Sequence, residues 1–179
     1  ENGLRTIELG AVNTANSVTI SGPVDEINAY RAAARKAHIA VHVLDIDYPF
    51  HHPAIDRERE AFLRELPHYT PKAGNIPFIS AVTGAAVSGE MLNANYWWNN
   101  VREVVRFAEA ANAAMACGAN LFLEISPRPI LVSYLTENAR QFGAAVAIMP
   151  TLNRPVRDDN PLPHIIAGAV AHGALPWKG

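Results

Sequence analysis

The chain has 179 residues, 49% of them hydrophobic and 18% charged, and a formal net charge of −2. This is about one globular domain and not a disordered chain; it has no basic footprint for nucleic acid and no run of 18 or more apolar residues for a membrane span. A single cysteine, Cys117, excludes an internal disulfide and a cysteine-rich zinc site; with no signal-peptide pattern in Glu1-Asn2-Gly3-Leu4-Arg5, a reducing, cytoplasmic setting is expected. The 30 alanines favour helix at little entropic cost.

In chain order, residues 6–12 read as a strand, Asn13-Thr14-Ala15-Asn16 as a turn, and Ser17-Val18-Thr19-Ile20-Ser21 as a β-branched strand. Gly22 and Pro23 open a helix that runs to about Lys36, with Asp25 and Glu26 in the dipole-favoured first turn and Ile27, Tyr30 and Ala34 on one face. Val41 to Ile46 reads as a further strand. Tyr48-Pro49-Phe50-His51-His52-Pro53 is a break, and residues 54–66 read as a charged amphipathic helix. A strand over 77–82 turns at Thr83-Gly84. One long helix is expected from Asn100 to Ala116, with Gly118 as its C′ residue. Leu121 to Ile125 reads as a strand buried on both faces, followed by a helix over 129–139, a strand over 144–149 and a last helix over 161–172. The first 46 residues read β-β-α-β and residues 76–149 read β-α-β-α-β, which argues for helices on a parallel sheet. The change of pattern places an internal boundary near Asp47.

No phosphate-binding loop, Gly-x-Gly-x-x-Gly or Gly-x-Ser-x-Gly is present. Histidine is the informative residue type. His38 and His42 have the spacing of a helical metal pair, but Ile39 stands where a general-base glutamate would, and strand pattern begins at Val41; ordinary surface or half-buried histidines fit better. His51-His52 directly follows a predicted strand end on a loop stiffened by Pro49 and Pro53. Such a loop can hold a general base in one orientation, and of two adjacent histidines at most one should be catalytic. Cys117 lies at a helix C-terminus, where the dipole does not activate a thiol, and reads as a core residue. Trp97-Trp98 reads as one core residue and one surface or interface residue.

Taken together, ordered segments along nearly the whole chain resemble the acyltransferase domain of type I polyketide synthases and, more distantly, malonyl-CoA:acyl-carrier-protein transacylases. They are Ala11-Val12-Asn13 with Val18-Thr19-Ile20-Ser21-Gly22; Tyr48-Pro49-Phe50-His51; Phe78-Ile79-Ser80 with Thr83-Gly84; Tyr96-Trp97, Asn100 and Val105-Arg106-Phe107; Phe122 through Leu131; and Leu152, Arg154, Gly173 and Trp177. The resemblance implies an α/β fold made of an α/β-hydrolase-like large subdomain and a ferredoxin-like small subdomain, both incomplete here. Residues 1–46 would be the remainder of the small subdomain, 47–150 the C-terminal half of the large one, and 151–179 a closing helix and linker.

The implied chemistry passes a malonyl-type unit from CoA through an acyl-serine to the phosphopantetheine thiol of an acyl carrier protein. His51 is then the base, and a backbone carbonyl at Asn100 or its immediate neighbour orients its ring. Phe50, with Tyr48 and Pro49, would set substrate specificity, phenylalanine before the histidine favouring malonyl over methylmalonyl. No bound cofactor or metal is implied. The implied partners are malonyl-CoA or a related acyl-CoA, an acyl carrier protein, and the adjacent ketosynthase and linker domains; no nucleic acid or membrane is expected. The serine elbow, the oxyanion-hole glutamine and the carboxylate-binding arginine would lie upstream of the first matched segment. The chain is therefore expected to be part of a longer domain, inactive alone, with exposed sheet edges and apolar surface. Ser126 and Arg128 depart from the usual glycine and histidine. An editing acyl hydrolase of the same fold and a non-catalytic structural remnant are the alternatives.

Overall fold

The computed structural model describes residues 6–66, 69–152 and 161–173. The readings at Arg154 and from Leu175 to Gly179 lie outside those residues. The chain divides into two compact units, Glu1–Phe107 and Ala108–Gly179. The division thus falls after Phe107 and not near Asp47. Main-chain hydrogen bonds tie segments on both sides of residue 47 into one unit, among them Val12 N–H to the Val105 carbonyl at 2.8 Å.

In the first unit, β1 (Glu8–Thr14) and β2 (Ser17–Ser21) form an antiparallel hairpin around a turn at Ala15-Asn16. The Asn16 N–H donates to Thr14 Oγ1 at 3.1 Å, closing that turn. The helix α1 (Val24–Lys36) starts at Pro23 and carries acidic residues in its first turn and basic ones in its last, as its macrodipole favours. It ends in a Schellman arrangement. The Ile39 N–H reaches the Ala34 carbonyl, the His38 N–H reaches that of Arg35, and His38 takes the left-handed conformation usually given to glycine, with φ 57°. His38 therefore terminates a helix, His42 lies in the non-helical segment beyond it, and the two share no helical face. No group of three or more histidine, cysteine or carboxylate side chains able to hold a metal occurs among the described residues.

The strand expected at Val41–Ile46 is not formed. Its residues have no ladder partner among the described strands, and Val41, Val43, Leu44 and Ile46 are exposed. β-branched residues favour an extended backbone, but a strand needs a neighbour for its N–H and C=O groups. The helix expected over 54–66 is a 3₁₀ segment, Pro53–Glu58, followed by α2 (Arg59–Arg64). β3 (Phe78–Ser80) turns at Thr83-Gly84 into an antiparallel β4 (Ala85–Val87) that the sequence pattern does not reveal.

The long helix expected from Asn100 to Ala116 is two helices, α3 (Ala94–Arg102) and α4 (Phe107–Ala116). Tertiary pairing breaks it: Val105 N–H donates to the Gly10 carbonyl at 2.9 Å, and Arg106 N–H to that of Ala81 at 2.7 Å. Ala11, Ala34, Ile55, Tyr96 and Trp98 form the buried core of this unit, with Phe62 meeting Trp98 edge to face. Tyr96 OH and Ser80 Oγ share a hydrogen bond of 2.7 Å.

In the second unit, β5 (Leu121–Glu124) pairs in parallel with β6 (Ala147–Pro150), and α5 (Val132–Phe142) lies between them in sequence; α6 (Leu162–Ala171) follows. Gly118, at φ 90°, ends α4 as its composition predicts. The parallel arrangement expected for residues 76–149 is confined to this pair, because β3 takes β4 as its partner. β5 is also less enclosed than its apolar run implies, with Leu123 exposed.

The last residue of β5, Glu124, is buried and stands at the entrance to α5. Its carboxylate accepts from the N–H groups of Ile130 at 2.7 Å, Leu131 at 3.0 Å and Val132 at 3.1 Å, and from Ser126 Oγ at 3.0 Å. The side chain thus takes up donors that the first turn of a helix leaves without partners. Burial pushes its pKa up. The hydrogen bonds from Ile130, Leu131, Ser126 and Val132 outweigh that, and the net shift is downward from 4.5. A lowered folded-state pKa contributes stability that is present above the unfolded value and is lost as pH falls through the folded one. Glu124→Gln is therefore expected to lower unfolding free energy at neutral pH by about 1–3 kcal/mol in urea titrations. The difference from wild type should shrink as pH drops below 4.5.

Candidate active site

His51 sits at the end of the exposed segment that follows α1, one residue before the cap of the Pro53–Glu58 turn. Its backbone is left-handed, with φ 58°. That conformation costs a residue with a Cβ about 1–2 kcal/mol, so surrounding contacts must impose it. Two of them are hydrogen bonds to main-chain carbonyls at the end of α3. The His51 N–H donates to the Val101 carbonyl at 3.0 Å, and the ring Nδ1 lies 2.6 Å from the carbonyl oxygen of Glu103. A carbonyl oxygen can only accept, so Nδ1 carries the proton and Nε2 keeps its lone pair. An imidazole in this tautomer is set to take a proton at Nε2.

The orienting carbonyl therefore belongs to Glu103 and not to Asn100. Asn100 lies within α3 and is exposed, whereas Glu103 is the residue at which α3 stops. Inside a helix the carbonyls are aligned along the axis, most of them toward N–H groups one turn on; at the C-terminus they are free to leave that direction. The Glu103 backbone has turned extended, at φ −83° and ψ 165°, because Val105 two residues later pairs with β1. The contributing atom is main chain, so no side-chain pattern announces it; the one local hint is the β-branched pair Val104-Val105.

The other expected site residues cluster at the same place. The rings of Tyr48 and Phe50 stack with centroids 5.5 Å apart, and Phe50 meets His51 edge to face at 6.4 Å. Pro49 separates the two aromatics, and all three residues are exposed. Side-chain pairs hold the 3₁₀ segment and α2 against α3: Arg102 Nε on Asp56 Oδ1 at 2.6 Å, and Arg59 Nη2 donating to Asn95 Oδ1 at 3.0 Å. Trp98 is core, and Trp97 lines an apolar groove of about 400 Å³ with Phe62, Glu65, Leu66 and Tyr69. None of residues 48–52 lines that groove. Cys117 is exposed, which corrects its assignment to the core: it follows the last residue of α4, outside the helix face that carries Ala110, Ala111 and Met115.

A family model described as the acyl transferase domain matches residues 4–174. The chain is 32% identical over 173 residues to polyketide synthase GfsB of Streptomyces halstedii, covering 96% of this chain and 3% of that protein. It superposes on the acyltransferase domain from module 8 of the salinomycin polyketide synthase with a TM-score of 0.89 at 29% identity, covering 95% of this chain and 40% of that one. A loading acyltransferase from the avermectin modular polyketide synthase gives a TM-score of 0.85 at 29% identity, with coverage of 94% and 52%. An α/β fold of the acyltransferase class is thus what structure and similarity define. The chain belongs to the acyl transferase domain family, and it spans about half or less of the length of these two solved acyltransferases and a few per cent of the curated synthase.

If the Glu103 carbonyl fixes the ring, Asn100→Ala and Glu103→Ala should both leave His51 as the Nδ1–H tautomer in long-range ¹H–¹⁵N spectra. Val105→Pro removes the N–H given to Gly10, leaves that buried carbonyl without its partner at a cost of about 1–3 kcal/mol, and should average the two ring tautomers.

Proposed function

We propose that these residues are the C-terminal part of a polyketide synthase acyltransferase domain that moves a malonyl-type extender unit from coenzyme A to an acyl carrier protein. His51 is its general base. The observation that carries the reading is the Nδ1–Glu103 carbonyl contact of 2.6 Å, which leaves Nε2 as a proton acceptor. Membership of the family and the likeness to two polyketide synthase acyltransferase structures at 29% identity support the reaction class.

In the first half-reaction, a serine on a preceding segment of the domain attacks the thioester carbonyl. His51 Nε2 takes the hydroxyl proton, the C–S bond breaks, and the proton passes to the departing CoA thiolate. In the second, Nε2 takes the proton of the phosphopantetheine thiol, the thiolate attacks the acyl-serine, and the proton returns to the serine oxygen as the ester bond breaks. The base is restored after each half. Neither step calls for a resident cofactor; coenzyme A and the carrier's phosphopantetheine enter as substrates. The partners in this reading are an acyl-CoA, a carrier protein and the neighbouring synthase domains, in the cytoplasm. No helix among the described residues is long and apolar enough to cross a membrane.

Two substitutions test the assignment in the intact synthase polypeptide. His51→Ala should slow formation of the malonyl adduct, followed by intact mass, by about 10²–10⁴-fold. An unchanged rate removes His51 from the chemistry. Free malonate accumulating with no loaded carrier indicates an editing hydrolase, and no turnover of any donor indicates a structural domain. Phe50 lies beside the His51 ring, and in this reading its benzyl group fills the space that an α-methyl would need. Phe50→Ser should therefore shift the methylmalonyl-to-malonyl preference upward by roughly 10-fold or more, since one methyl in a pocket is worth about 1–3 kcal/mol. Competition between the two thioesters, read by mass, gives the ratio.

A further inference from the structure

His52 has no part in the chemistry above, yet both of its ring nitrogens are engaged. Nδ1 accepts from the Ala54 N–H at 3.0 Å and caps the Pro53–Glu58 turn. A nitrogen that accepts has no proton, so the ring hydrogen sits on Nε2, and Nε2 donates to the Thr6 carbonyl at 2.5 Å. The two adjacent histidines are thus held as opposite tautomers, His51 protonated on Nδ1 and His52 on Nε2.

The His52 bonds join two parts of the fold that flank His51. On one side, the turn is anchored by Ile55, which is buried and whose N–H donates to the His52 carbonyl at 3.1 Å. On the other side, Thr6 precedes β1 and is itself fixed, its hydroxyl donating to Glu26 in the first turn of α1. The carbonyl that His52 uses is also closely packed: a Cβ at Gly22 would lie 3.2 Å from Thr6 O, so glycine there keeps that approach open. Without this tie, the left-handed His51 is flanked on its N-terminal side only by exposed, non-ladder residues.

We propose that His52 is the positioning residue for His51: its neutral ring, bonded at both nitrogens, pins the base-bearing loop between the start of β1 and the Pro53–Glu58 turn, and so holds the His51 ring on the Glu103 carbonyl. The inference rests on His51 being the base, because positioning matters to function only then, but its test does not use activity.

The readout is exchange with water of the His51 Nδ1 proton, followed by NMR in the full chain labelled with ¹⁵N-histidine, with the Val12 amide as the control for global opening. His52→Ala should raise the His51 exchange rate at least tenfold while the Val12 amide is unchanged. Asparagine at position 52 can still accept from the Ala54 N–H as a cap but is too short to reach Thr6. His52→Asn should therefore fold with the turn intact and exchange His51 at least threefold faster than wild type. Should His52→Ala fail to fold, His52→Asn decides. Either folded variant exchanging at the wild-type rate overturns the proposal. Faster His51 exchange in the variants combined with full acyl transfer by His51→Ala would instead count against the functional reading, so the two failures are distinguishable.

Discussion

The hydrogen bond from His51 Nδ1 to the Glu103 carbonyl depends on a helix ending at one particular residue. The stretch from Glu103 to Arg106 could continue α3 into α4. It leaves the helical path because Val105 exchanges main-chain bonds with Gly10 and Val12 of β1, and Arg106 bonds Ala81 after β3. Those bonds close the first unit, and the same departure turns the Glu103 carbonyl to the imidazole. Fold and site therefore share one constraint: whatever displaces Val105 from β1 also releases the histidine. Orientation by a neutral carbonyl has a chemical consequence too. It selects one tautomer, yet adds no buried carboxylate whose desolvation would need compensation.

The second unit repeats the theme of side chain against main chain with the charge reversed. Glu124 ends β5 and takes up the free N–H groups at the start of α5, so strand, loop and helix are joined through one carboxylate. Four hydrogen bonds offset the cost of burying the charge, as the lowered pKa reflects. The segment Phe122 through Leu131, part of which marks the family resemblance, thus has a structural reason for its glutamate that is independent of catalysis.

Much of this was legible in the sequence where local chemistry decides the outcome. The β-branched run Ser17–Ser21 is a strand with the bounds its residues predict, Pro23 and the acidic first turn start α1, and Gly118 ends α4. The pair His51-His52 stood out on a loop between two prolines, and the family resemblance singled out His51. Non-local pairing accounts for the rest. Val41 to Ile46 has strand composition and no ladder among the described residues, while Ala85–Val87 has little strand character and pairs because the Thr83-Gly84 turn brings it beside β3. The resemblance pointed to a backbone carbonyl at Asn100 or its immediate neighbour; the one that meets the ring lies three residues on, at Glu103, and every residue type possesses such an atom. His52 offered no signal beyond adjacency, because its partners, the Thr6 carbonyl and the Ala54 N–H, are also backbone atoms.

The proton on the His51 ring is the most direct test of this account. Neutron diffraction from crystals of the deuterium-exchanged protein would locate it. The account requires deuterium on Nδ1, directed at the Glu103 carbonyl oxygen, and a bare Nε2. Deuterium on Nε2 with Nδ1 bare, or a ring turned away from Glu103, would contradict it and leave the chain without an oriented base.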